Sequence, residues 1–481
     1  MLVEVESITY YDCTIPGVIL DYVIARVLVQ RHKWPRTNSL NGWMEQMKTS
    51  QRNTVMRRDL TKRHSSLFEN KLINPFLFAH DIYKYGKFRE IVSFMIWELF
   101  HTFRLFPKSK YLQFNHGDAF TLDNETLTGA DFSKRIHHFL TTRDLSVIRS
   151  EHNWKLLFIK GNREVFGCLY PEDKNLYKSV DNGKHIVFVT RFPERIKSIF
   201  ISGQNTIFVC ARGAVYKSSD NGGSFTKSLD LASSESWFRY NNGMTETPHK
   251  TLIIGEYGNV WDKNGWRKLA YLYFSSDNGD TWVRSDFLIK QGINKHVHLV
   301  KYSKLLNKIF VADGDNKKKL WVSDSVNSGD VKDLKMTPVN RFHIQMGGYT
   351  SVAETEDKLF FGTDYQGGTN FIVETTDGEH FAQRIVPDPY RRSPIDNMIQ
   401  RKSGKANEIW AHLPFSTANT KCLLMYTVNG GRNWTKIIEY NGTTHKVSLI
   451  SSSNETTDEL YFSIEDSRNG DRVVYKVSDQ E

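Results

Sequence analysis

The chain has 481 residues, 39% of them hydrophobic and 13% aromatic, with a formal net charge of +10. That composition can build a large core and excludes a disordered chain, and the length exceeds one ordinary domain unless the fold is made of repeats. Cys13, Cys168, Cys210 and Cys422 stand far apart in the chain, so no pair has metal-ligand spacing and no disulfide framework is implied. The longest apolar stretch, Ile91 to Phe100, is about half a membrane span and contains Glu98.

In chain order, residues 1–110 come first and stand apart. They hold 17 Lys and Arg against 10 Asp and Glu, so most of the positive charge sits there. PGVILDYVIARVLVQRHKW and KFREIVSFMIWELFHTFRLF place apolar residues at helical spacing, which predicts a small, mainly α-helical N-terminal domain over 1–110. The basic run SQRNTVMRRDLTKRH lacks the interleaved aromatics of a single-strand binder, so no specific nucleic-acid signal is read from it. Packing of these helices on a second copy of the chain, giving an oligomer, is one expected role. No basic region followed by an apolar run opens the chain, so a cytoplasmic location is expected.

Residues 111–481 read as one all-β domain, with 111–150 partly linker and partly a ring-closing strand. Two series repeat through it in one register. The first is a turn string: YKSVDNGKHI from Tyr177, KSSDNGGSFT from Lys217, YFSSDNGDTW from Tyr273, VETTDGEHF from Val373 and YTVNGGRNW from Tyr426. Asp or Asn followed by Gly turns a hairpin, the Ser or Thr two residues earlier can bond the turn backbone, and the closing aromatic can pack beneath it. The second series starts at Trp154, Asn205, Lys250, Asn307, Asp357, Asn407 and Asp458, with separations of 51, 45, 57, 50, 50 and 51 residues. Seven all-β units of about 50 residues predict a seven-bladed β-propeller with four-stranded blades. The last unit ends after its third strand, and KYLQFNHGDAFTLD, from Lys110 to Asp123, is expected to supply the missing one and close the ring.

The string S-x-D-x-G-x-[TS]-[WF] resembles the Asp box of the BNR-repeat, sialidase-like propellers, over roughly residues 140–481. The resemblance implies that these turns lie between the third and outermost strands, on the face away from the active site, and that the opposite rim carries any chemistry. That rim receives the ends of the second strands, which carry Arg212, Glu256, Tyr257, Asp313, Asp315, Asp364, Tyr365 and His412. It also receives the starts of the first strands, with His296, His298, Gly347-Gly348-Tyr349 and Asp396-Asn397. A long connection after Glu256 adds Trp261 and Trp266. The strings GEYG, KHVHLVKY and GGYTSVAE resemble a subgroup of BNR-type propellers linked to bacterial surface polysaccharides.

Aromatic faces beside carboxylates and arginine suit sugar recognition, since a pyranose has an apolar face and a rim of hydroxyls. The expected function is therefore binding of an acidic polysaccharide, with glycosidase or polysaccharide lyase as the expected chemistry if the rim is catalytic. Glu256 and Asp364 are the expected acid–base pair for hydrolysis. For elimination, His296, His298 or a tyrosine would take the proton α to a uronate carboxylate that Arg212 neutralises. Tyr257, Tyr349, Tyr365, Asp313, Asp315 and His412 are the expected substrate contacts. The two histidines lie on one side of one strand, and three roles stay open for them: general base, hydrogen-bonded channel residues, or metal ligands. No cofactor is assigned, because a divalent metal there needs a third ligand such as Glu256, Asp313 or Asp315. A sialidase is not expected, since no Arg-Ile-Pro-like motif stands on an early strand. The alternative is a propeller that only binds, as a scaffold for proteins or glycans.

Overall fold

The computed structural model describes residues 88–478 apart from 123–126, 128–129, 144, 162, 263–264, 294, 314–318, 324–334, 340–347, 366–367, 405 and 416–419. The chain divides into two compact units, Met1–Phe106 and Pro107–Glu481. In the first, the predicted helix forms over Phe88–Thr102, and Trp97 stacks on Phe106 at 4.7 Å between ring centroids. The rest of the expected helical domain, with the expected oligomer contact, lies outside the described residues. Among those residues, no helix is long and apolar enough to cross a membrane.

The second unit is a seven-bladed β-propeller. Each blade is an antiparallel sheet of four strands in sequence order from the inside out. Blade 1 runs Trp154–Lys160, Glu164–Leu169, Asn175–Ser179 and Val187–Arg191. Blade 2 runs Ile196–Ile201, Ile207–Ala211, Ala214–Ser218 and Thr226–Asp230. Blades 3, 4, 5 and 6 begin with the inner strands Met244–Glu246, Leu299–Ser303, Gly348–Glu354 and Asn397–Ser403. Blade 7 is built from His445–Leu449, Leu460–Asp466 and Arg472–Ser478, with Ser146–Arg149 as its outer strand.

Two expectations about the strands change. The ring is closed by Ser146–Arg149, which pairs antiparallel with Arg472–Ser478, and not by the Lys110–Asp123 segment. That segment lies instead outside blade 6, where Phe120–Thr121 pairs parallel with Thr435–Tyr440. The reason is which edge each strand meets: Ser146–Arg149 lies against the open third strand of blade 7, whereas Phe120–Thr121 adds a fifth strand to the already complete blade 6. The string at Trp154 is also an inner strand, whereas its counterparts at Asn205 to Asp458 are second strands. Glu164–Leu169, with no matching string, fills the second position of blade 1.

Between the two segments, helix Ala130–Thr141 was not anticipated. Phe132, Ile136 and Leu140 recur four apart, so they share one helix face, and they are buried with Phe120, Leu122 and Val147 against blades 6 and 7.

The repeated string folds the same way each time. In blade 3, Ser275 Oγ donates to Asp277 Oδ1 at 2.7 Å, the Gly279 amide donates to Ser275 Oγ at 2.8 Å, and Thr281 Oγ1 donates to Asp277 Oδ2 at 2.6 Å. Burial opposes ionisation of Asp277, but the bonds from Thr281 and Ser275 outweigh it and bring its pKa down to about 2. Trp282 then reaches the preceding blade, where its Nε1 donates to Ser228 Oγ at 2.8 Å and its ring meets Phe208 edge-on. The turn thus consumes its polar groups locally and pins neighbouring blades together.

Candidate functional site

Strand order fixes the two faces of the ring. Connections from a fourth strand to the next first strand, and from a second to a third, open on one face. The candidate residues lie in those connections or at the strand ends beside them, yet only some of them meet.

The core of the site is a chain of four groups. His296 Nδ1 lies 2.7 Å from the Gly258 carbonyl oxygen, which can only accept, so Nδ1 carries a hydrogen. His296 Nε2 is then the acceptor in the neutral ring, and His298 Nε2, 2.8 Å away, donates to it. The far nitrogen of His298, Nδ1, faces Asp364 Oδ2 at 3.8 Å, within ion-pair range. A proton placed there makes an imidazolium beside a carboxylate. The Tyr257 ring covers the pair, with its centroid 4.0 Å from His296 and 5.7 Å from His298. The histidines are 1% and 3% exposed, whereas the Asp364 side chain is 28% exposed, so the carboxylate is the end that meets solvent.

Residues 231–243, joining blades 2 and 3, supply what the sequence reading missed. The run WFRYNNG from Trp237 reaches blades 6 and 7, which are not its neighbours in the ring, so it crosses the central channel. Arg239 Nη2 bonds Asp396 Oδ1 at 2.9 Å and the Asp396 carbonyl at 3.1 Å. Asn241 Nδ2 donates to the Met398 carbonyl at 2.7 Å, and Asn397 Nδ2 donates to the Tyr240 hydroxyl at 2.8 Å. Arg239 also lies over Tyr257 at 5.6 Å, which ties the crossing to the histidine pair. Burial opposes ionisation of Asp396, but Arg239, helped by His412 and His298, outweighs it and holds the carboxyl below its usual range. The visible signal was the density of aromatic and polar side chains in the seven-residue run WFRYNNG of this connection, since a plain turn needs none of them.

His412 lies on the far side of Asp396. It is buried, its Nε2 is 2.7 Å from the Tyr440 hydroxyl, and burial pushes its pKa down to about 4. The remaining candidates serve other neighbours. Glu256 is fully buried and accepts from the Tyr273 hydroxyl at 2.6 Å and the Ala232 amide at 3.2 Å; burial raises its pKa. Arg212 forms an exposed ion pair with Glu235. Asp313 accepts from Trp321 Nε1 at 3.2 Å, and Asp315 lies outside the described residues. Tyr349 is buried against Phe361, and Tyr365 is buried beside Asn370, which caps its backbone. Trp261 and Trp266 meet edge-on across a two-stranded ribbon.

Among the described residues, no group of three or more His, Cys, Asp or Glu side chains is arranged to hold a metal ion. The two histidines face each other through Nε2, a geometry that shares a proton rather than aiming two lone pairs at one cation.

No protein-family model matches the chain, and no curated protein matches it in sequence. Solved structures similar to the propeller include a catalytically inactive virginiamycin B lyase from Staphylococcus aureus with quinupristin. It is 12% identical, covers 69% of this chain and 98% of its own, and has a TM-score of 0.45. A GH74 xyloglucanase from Xanthomonas campestris is 13% identical, covers 61% of this chain and 46% of its own, and has a TM-score of 0.43. A chain of the mitotic checkpoint complex is 14% identical, covers 69% and 91%, and has a TM-score of 0.44. At these identities and scores the likenesses carry nothing about chemistry.

Proposed function

We propose that the channel mouth binds an acidic glycan and cleaves it by elimination. The observation that carries this reading is the chain Asp364–His298–His296–Gly258 carbonyl, a partly exposed carboxylate backed by a buried imidazole pair. Asp364 takes the proton α to a uronate carboxylate, and the electron pair left behind forms a carbon–carbon double bond as the glycosidic carbon–oxygen bond breaks. The leaving oxygen takes a proton from water or from Tyr257. His298, charged by a proton on Nδ1, steadies Asp364 as a carboxylate before the step. Arg239 is the cation in reach of the substrate carboxylate, a role first assigned to Arg212.

The chain is further proposed to be an Asp-box propeller. Supporting this, the same Ser/Thr-to-Asp/Asn bond recurs at Ser179, Ser218, Ser275, Thr375 and Thr427. Its expected domains remain a helical region over 1–110 and the propeller over 111–481.

A screen of the purified chain against acidic and neutral polysaccharides tests the function, reading absorbance of unsaturated uronate and new reducing ends. Elimination predicts both signals on an acidic polymer, lost in Asp364→Asn and in His298→Gln. Reducing ends without absorbance would replace elimination by hydrolysis. Glycan binding without cleavage would support the scaffold reading, which the near-complete burial of both histidines favours.

A further inference from the structure

The opposite face of the ring carries a separate feature. The connections from first to second and from third to fourth strands open there. Between blades 5 and 6 they form a cleft of about 420 Å³, which continues into a second of about 370 Å³. Both share Lys358, Gly430 and Arg432. The 3-10 turn Lys108–Lys110 forms the outer wall of the first.

The charge in this cleft is one-sided. In the first chamber Lys108, Lys358, Arg384 and Arg432 stand against the single carboxylate of Glu374, leaving three positive charges in excess, and the second chamber adds one carboxylate, Asp357. Glu374 is shared: Lys358 Nζ lies 3.0 Å from its Oε2 and Arg384 Nε 3.7 Å from its Oε1. Arg384 Nη1 also donates to the Ser109 carbonyl at 2.7 Å, which holds the outer wall against blade 5. One anion thus orders two cations without neutralising the set, while Lys108 and Arg432 enter exposed from opposite walls. At Gly430, with φ of +64°, no atom lies within 4 Å of where a Cβ would stand, so the cleft floor is approachable backbone.

We propose that this cleft binds a small ligand carrying two or more negative charges as phosphate or sulfate esters. Arginine matches the oxygens of such groups in pairs, and the first chamber falls within the range of about 300–1,000 Å³ usual for small-ligand sites. The site is independent of the histidine pair, and its ligand need contain no uronate.

Titration calorimetry on the full chain tests it. The probes are inorganic pyrophosphate and a disulfated neutral disaccharide, with the unsulfated sugar as control. The expected result is binding of at least one anion, weakened by salt and by roughly tenfold or more in Arg432→Ala, the loss of one charge-assisted contact. Binding of pyrophosphate alone assigns a phosphate ester, and binding of the disaccharide alone a sulfate ester. No binding of either probe overturns the proposal, as does binding that Arg432→Ala and Lys108→Ala both leave unchanged. Thermal melting of each variant separates lost contacts from lost folding.

Discussion

Gly279→Ala tests whether the repeated turn is a building part that locks blades together. Gly279 sits at φ +81°, in the left-handed region, and a Cβ there would stand 2.5 Å from the Phe208 ring of the preceding blade. Two costs add. The backbone term for a side chain in this region is about 1–2 kcal/mol. The overpacking term is about 1–3 kcal/mol, because Phe208 is fully buried and has no room to turn away. The expected loss is therefore about 2–5 kcal/mol. Gly161→Ala is the control: its φ is +58° and nothing lies within 4 Å of its Cβ, so only the backbone term applies. Guanidinium unfolding of both variants, compared at equal m-value, isolates the contact. Equal losses would refute the reasoning, since the turn would then add nothing across the blade boundary.

The remaining predictions concern charge. His412 is held neutral in the folded chain, with a pKa of about 4, and titrates near 6.5 once unfolded. Between those values the unfolded state binds the extra proton. Its contribution is therefore fully present above pH 6.5 and is lost as pH falls toward 4. Melting temperature against pH should be less steep over that window in His412→Gln than in the parent. Arg401 and Glu408 form a buried ion pair at 2.8 Å, supported by Trp410 Nε1 on Glu408. Arg401→Met strands the carboxylate and should cost about 3–5 kcal/mol in denaturant unfolding, while adding Glu408→Leu should restore much of that loss. A double mutant no more stable than Arg401→Met would contradict this account.

The architecture was legible in the sequence because its determinants are local and repeated. A Ser, Asp, Gly and aromatic at fixed offsets write a turn that needs no distant partner, and seven copies of a strand pattern at nearly constant spacing specify the number of blades. The segment that closes the ring was not legible. Ser146–Arg149 and Phe120–Thr121 are both short strands, and only the blade edge that each one meets decides which completes blade 7.

The site divides the same way. Strand order by itself sent His296, His298, Asp364 and Asp396 to one face, since that follows from counting connections. Whether groups on that face touch depends on the path of side chains across the channel, which no local pattern encodes. Glu256 turned into contacts with Tyr273 and Ala232, and Arg212 found Glu235. Arg239, from a connection that the sequence analysis did not single out, crossed the ring to Asp396. The physical reason is range: a turn is decided within about ten residues by backbone angles and its own hydrogen bonds. The ion pair of Arg239 with Asp396 joins residues 157 positions apart and exists only because seven blades close into a ring.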